Sequence, residues 1–354
     1  MHIAILLVGF GHVGRRFVHL LHEMKPFLDS RGVDIAVVGI ATRTRGAVFE
    51  DTGLDAVRIA QRVAGGDMVA PWSTSPTAHS LIEQLGSLSA EVRVLVETTT
   101  LEVQFAEPAI SHVRAALSVG AHVISANKGP VAHAYRELAD AARAAGRQFL
   151  FEGAVMDGIP IFNLVRETMP GVSIRGFRGV INSTTNHILT AMEHGEPFEA
   201  ALARMQAAGV AEADPSLDVD GWDTAAKVAA MANVWMDARL TPQQVRREGI
   251  SASDAARVLD AVARGRRVKL VGRATRRMDG IEASVQLEEL AVDDPLGGLD
   301  GQANALELDT DVLGRVVITQ RDGGLEKTAY ALFTDLMTVA RPEKTSGIFF
   351  EGAL

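Results

Sequence analysis

The sequence predicts an α/β fold, a doubly wound parallel sheet with a second, α+β domain, and three observations predict it. Short apolar runs alternate with helical patterns through the first half of the chain. A glycine-rich turn follows the first apolar run, and after Glu152 the texture changes to helices and then long polar-edged strands. A chain of 354 residues also exceeds what one core usually organises, so two domains are expected.

The buried strands fall at 3–8, 33–40, 92–97 and 122–125, and another starts at 148–152. Helical stretches at 15–28, 108–119 and 135–145 separate them, the last two stopping just before Gly120 and Gly146. Beyond Glu152 a helix follows Pro160, a strand runs near 174–182, and helices cover 198–208, 224–234 and 253–264. Strands at 268–275 and 281–287 complete this layer. The segment from Arg315 through the helix at 325–339 reads again as α/β material. The expected division is therefore 1–151 plus 315–354 for the first domain and 152–314 for the second.

Composition narrows the chemistry. Hydrophobic residues at 47% and charged residues at 22% are the balance of a globular chain, which excludes disorder. The absence of cysteine removes thiolate nucleophiles, disulfides and cysteine-held metals, and it fits a reducing compartment. A net charge of −9 repels a polyanion, so no nucleic-acid partner is expected. The basic run between Arg264 and Arg277 reads as a helix end and strand with a solvated face. The N-terminal apolar run at 3–10 is too short to span a bilayer and leads into glycines rather than a cleavage site, so a cytoplasmic protein without a membrane partner is expected.

Gly9-Phe10-Gly11-His12-Val13-Gly14 matches G-x-G-x-x-G directly after a strand and at the start of a helix, as a Rossmann-type dinucleotide site requires. Gly9 permits the turn, Gly11 lets the backbone approach a pyrophosphate, and Gly14 lets helix and strand pack closely. The second strand runs into Ala41-Thr42-Arg43-Thr44-Arg45 instead of an acid. Arg43 suits a 2′-phosphate, which favours NADP with NAD as the alternative, and a pair of solvated arginines is the plain reading. Thr98, Thr99 and Lys128 follow the next two strands, where open α/β sheets bind ligands.

From Glu212 to Lys227 five carboxylates crowd ahead of a helix, among them Asp218 and Asp223. A solvated acidic loop is the commoner meaning of such a run. Asp223 and Lys227, however, stand four apart in the first turns of that helix and share a face. A lysine kept charged by neighbouring carboxylates suits a general acid that protonates the alkoxide formed by hydride addition to a carbonyl.

Taken in order, these segments resemble the homoserine dehydrogenase family. The resemblance rests on the glycine turn, Ala126-Asn127-Lys128, the stretch from Glu152 to Pro160, Asn182-Ser183-Thr184-Thr185-Asn186, and the run from Ala211 through Asp223 to Lys227. It implies interconversion of L-homoserine and L-aspartate 4-semialdehyde, with Lys227 as proton donor and Lys128 between nicotinamide and substrate. It implies that Glu212 and Asp223 hold the substrate amino group and that Thr184 approaches its carboxylate. It further implies a sodium or potassium ion on backbone oxygens at Glu152, Val155, Asp157 and Ile159, a late glycine turn to the cofactor at Gly324, and a homodimer joined through the second domain. Three departures stand out: Asp157 replaces a small residue, Ser183 replaces a glycine, and the length is short for the family; the glycine turn at Gly324 also lacks the usual proline. The family's regulatory ACT domain is not expected. Another amino-acid or semialdehyde dehydrogenase on the same scaffold, and a non-catalytic dinucleotide sensor, are the competing readings.

Overall fold

The computed structural model describes residues 1–69, 77–207, 214–322 and 324–341. Its first sheet contains β1 (His2–Val8), β2 (Asp34–Ala41), β3 (Ala47–Phe49), β4 (Val92–Glu97), β5 (His122–Ser125) and β6 (Phe149–Leu150), in the order β3-β2-β1-β4-β5-β6. All neighbours are parallel except β3, which pairs antiparallel with β2. Helices cover both faces, which is why β1 is a continuous apolar run: from Ile3 to Val8 every side chain is buried. The strand order reverses between β1 and β4, so the ends of those two strands form the crevice where such sheets bind ligands.

The second sheet contains β7 (Ile174–Val180), β8 (Arg246–Arg247), β9 (Arg266–Arg277), β10 (Gly280–Ala291), β11 (Asn304–Thr310) and β12 (Arg315–Gln320), in the order β12-β11-β7-β9-β10-β8. Its centre is antiparallel, with β9 and β10 joined as a long hairpin through an exposed turn at Met278. Helix Trp222–Met236 packs across this sheet and against helix Lys128–Ala144 of the first layer, so the two layers share one apolar core.

Three expectations are corrected. The helix at 15–28 is two helices, His12–Glu23 and Lys25–Ser30; Pro26, which has no backbone N–H to donate into a continuing helix, stands at the start of the second. The segment at 315–320 is the edge strand of the second sheet, paired along its length with β11, so the chain returns to the first layer only with helix Leu325–Val339, which packs on helix His12–Glu23. Alternating exposure along β12 cannot tell a sequence reader which sheet it joins. Finally, the basic run is paired rather than merely solvated. Arg264, Arg267, Arg273 and Arg277 meet Asp260, Glu193, Glu288 and Glu282, and Lys269 is fully buried.

Candidate active site

Helix Trp222–Met236 begins at Gly221, whose φ of 77° and whose approach to the Glu248 carbonyl, 2.8 Å from where a Cβ would stand, admit only glycine. Asp223 lies in its first turn and Lys227 one turn on, with Lys227 Nζ 2.8 Å from Asp223 Oδ2. Lys227 also donates to the Ile181 carbonyl at 2.7 Å. From the other layer, Lys128 opens the helix that follows β5 and donates to Asp223 Oδ1 at 2.9 Å. One carboxylate thus holds two ammonium groups, one from each layer.

Asn182 completes the arrangement. It caps helix Ser183–Glu193 by accepting from the Thr185 N–H at 2.8 Å, and its Nδ2 donates to Asp223 Oδ2 at 3.0 Å and Asp218 Oδ1 at 2.7 Å. Thr184 is buried in the first turn of the same helix. The sequence reading gave neither Asn182 nor Asp218 a role. The available signal was a polar N-cap between a strand and a helix, which ordinarily means only capping.

Burial works to raise the Asp223 carboxyl, but Lys128 and Lys227 beside it, helped by Asn182, hold it well below the usual carboxylate range. Burial likewise works against a charged Lys227, and Asp223 overrides it, with Asp157 and Asp218 adding to the effect, so the ammonium is held above its ordinary value. Asp218 moves the opposite way, pushed up by burial and then by the charge of Asp223. An ammonium held charged beside the site has a proton available for a developing alkoxide.

At the end of β1 the glycine turn has the expected division of labour. A Cβ on Gly9, at φ +91°, would stand 2.5 Å from the Thr98 carbonyl carbon, and one on Gly14 would stand 3.0 Å from the Gly9 carbonyl oxygen. Gly11 has nothing within 4 Å on that side, the open face a pyrophosphate needs. Phe10 is buried in the core, so only its backbone is available to a ligand, whereas His12 is exposed and Val13 half-buried. Thr98 donates its hydroxyl to the Gly9 carbonyl at 2.9 Å, and Thr99 stands beside it. Past β2, Arg43 is exposed and Arg45 is anchored on the carbonyls of Val63 and Asp67 at 3.1 and 3.2 Å.

The turn after β6 contains Glu152, Val155, Asp157 and Ile159. The Glu152 carboxylate is committed to the backbone N–H groups of Phe162 and Asn163, at 2.9 and 2.6 Å, and its own N–H donates to Asp335 at 2.8 Å. Its side chain is therefore a helix cap. Met156 and Asp157 both take φ of 56°, and the Asp157 carboxylate accepts from the Gly324 N–H at 3.2 Å. No cluster of three or more His, Cys, Asp or Glu able to hold a metal occurs among the described residues. Glu212 lies outside the described residues. No helix among the described residues is long and apolar enough to cross a membrane.

A family model described as homoserine dehydrogenase matches residues 160–337, and one described as homoserine dehydrogenase, NAD binding domain, matches residues 9–152. The chain is 37% identical over 340 residues to the NAD(+)-dependent homoserine dehydrogenase of Pseudomonas canavaninivorans, covering 95% of each. It is 33% identical over 341 residues to the homoserine dehydrogenase of Methanocaldococcus jannaschii, covering 96% of this chain and 99% of that one. Among solved structures, a putative homoserine dehydrogenase of Archaeoglobus fulgidus superposes with a TM-score of 0.82 at 28% identity over 96% of this chain and 99% of that one. A hyperthermophilic archaeal homoserine dehydrogenase in complex with NADPH gives 0.79 at 28%, over 97% and 99%.

Proposed function

The chain belongs to the homoserine dehydrogenase family, and we propose that Lys227 is its proton donor, with Asp223 and Lys128 completing the catalytic group. The protein is an NAD(P)-dependent oxidoreductase acting on a CH–OH group, that of L-homoserine, with L-aspartate 4-semialdehyde as the oxidised partner. When bound, the dinucleotide supplies or accepts the hydride. The observation that carries the reading is the single carboxylate of Asp223 gripping Lys227 and Lys128.

In this reading Lys227 gives its proton to the carbonyl oxygen during reduction and takes it back during oxidation, while Asp223 holds the ammonium in place and keeps it charged. Lys128 sits on the far oxygen of the same carboxylate, where it meets substrate and nicotinamide. Glu212 and Asp223 receive the amino group, and Thr184 faces the substrate carboxylate. The dinucleotide rests on residues 9–14, Thr98, Thr99, Lys128 and Gly324. Arg43 takes the 2′-phosphate, which makes NADP the preferred form with NAD as the weaker one. Sodium or potassium binds the carbonyls of Glu152, Val155, Asp157 and Ile159 and stiffens the turn that meets Gly324. The first domain comprises 1–151 and the helix at 325–339, the second the residues between. A cytoplasmic homodimer joined through the second domain fits the exposed Val312 and Leu313 in the turn before β12 and Val317 on that edge strand.

The test is a nicotinamide absorbance assay with homoserine and each dinucleotide at alkaline pH, with and without Na⁺ or K⁺. The reading expects turnover faster with NADP⁺ than NAD⁺ and stimulated by the ion. No absorbance change with either dinucleotide would remove it.

A further inference from the structure

Behind the threonines that follow β4 lies a charged side chain that the proton and hydride steps leave unused. Glu97 closes β4 at the switch point and is fully buried, at 0% exposure. Its Oε1 accepts from the Thr99 N–H at 3.2 Å and from the Thr99 hydroxyl. Thr99 then accepts twice from Asn127 Nδ2, at 3.2 Å through its carbonyl and at 3.2 Å through Oγ1. The other end of that amide, Asn127 Oδ1, accepts from the Gly129 N–H at 2.9 Å and caps the helix whose first residue is Lys128.

The chain of bonds has a direction, and the carboxylate sets it. A hydroxyl has one proton, and Thr99 donates it to Glu97 Oε1. Oγ1 is then left as an acceptor, which fixes Nδ2 of Asn127 toward Thr99 and Oδ1 toward the helix. A flipped amide would put oxygen against oxygen at one end and N–H against N–H at the other. Ser125 tightens the same corner by accepting from the Asn127 N–H at 3.0 Å and donating to its carbonyl at 3.1 Å.

Stability alone does not account for an acid in this place. Glu97 Oε2 and the facing His112 Nδ1 are both buried without a hydrogen-bond partner among the described residues, and Nδ1 stands 3.8 Å from Oε1, beyond hydrogen-bond reach. Such orphaned groups cost folding free energy that an apolar side chain at the end of a buried strand would not.

We propose that Glu97 is a positioning residue: through Thr99 and Asn127 it fixes the start of helix Lys128–Ala144 and so places the Lys128 ammonium on Asp223. The inference rests on the reading of Lys128 as a site residue. The test is a double-mutant cycle on the full chain, with Glu97→Met, Glu97→Gln, Lys128→Met and the Glu97→Met/Lys128→Met pair. The readouts are kcat, the dissociation constant of the dinucleotide by fluorescence, and the thermal midpoint. Glu97→Met is expected to lower kcat about tenfold, and to add little to the loss once Lys128 is gone. Glu97→Gln, whose amide oxygen still accepts from Thr99, is expected to restore most of the rate. Equal losses from Glu97→Met in both backgrounds, or a glutamine variant as impaired as the methionine one, would overturn the proposal while leaving Lys128 its role. A Lys128→Met enzyme turning over at the parent rate would instead overturn the reading beneath it. If Glu97→Met does not fold, Asn127→Ala severs the same relay and takes its place in the cycle.

Discussion

Lys128 and Asp223 stand 95 positions apart in the chain, on helices of different layers, and meet at 2.9 Å. The contact ties the end of the parallel sheet to the helix that crosses the antiparallel one. It also puts a second cation on a carboxylate already bound to Lys227.

Replacing Asp223 by Asn removes the main charge that holds Lys227 protonated, and burial then acts on the lysine against only the smaller pull of Asp157 and Asp218. In the proposed reading homoserine oxidation needs Lys227 to accept a proton, so in the parent it is expected to rise with pH above neutrality, whereas semialdehyde reduction is expected to persist near neutrality. In Asp223→Asn the alkaline limb of the oxidation profile shifts toward lower pH and the rate at its plateau falls. A profile of kcat against pH in both directions checks this, and an unmoved limb contradicts it. The stability linkage has the opposite reach. Asp223 is depressed in the folded state, so its contribution is present above the ordinary carboxylate range and is lost as pH falls through its folded value.

In the proposed reading Arg43 discriminates between the two dinucleotides. Charge-assisted hydrogen bonds are each worth about 1.5–3 kcal/mol, so Arg43→Ala should weaken NADPH roughly tenfold to a hundredfold while leaving NADH almost untouched. Titrating the two dinucleotides by fluorescence reads this out. Parallel losses for both would show that Arg43 does not meet the 2′-phosphate.

Lys269 predicts a stability change far from the chemistry. It is fully buried on β9 and donates to Asn186 at 3.0 Å and to the Leu299 carbonyl at 2.7 Å, with Glu193 3.5 Å away and Arg267 and Asp300 close by. Burial pushes its ammonium down to about 8. Between that value and the ordinary lysine value the unfolded chain holds a proton the folded chain has released, so this residue makes stability rise with pH. Urea unfolding across that window should show the rise in the parent and lose it in Lys269→Met.

Much of the fold was legible because the parallel strands are buried on both faces and read as plain apolar runs; the predicted bounds of β4 and β5 match the structure. The Asp223 and Lys227 pair was legible because helical spacing alone puts them on one face. Two kinds of feature were not. β11 pairs residues 304–310 with β7, more than a hundred positions away, through a segment whose Glu307 and Asp309 interrupt the apolar pattern. Asn182 and Glu97 owe their roles to partners that sequence spacing cannot bring together, Asp218 and Asp223 for the first and the Thr99–Asn127 corner for the second.

The role of Lys227 is tested most directly by replacing it with methionine, which keeps the stem and removes the proton, and measuring kcat in both directions beside the thermal midpoint. A general acid–base group contributes roughly 10²–10⁴-fold, so turnover should fall by that order in both directions while dinucleotide affinity and the fold persist. A folded Lys227→Met enzyme that oxidises homoserine and reduces the semialdehyde at the parent rate would contradict the assignment.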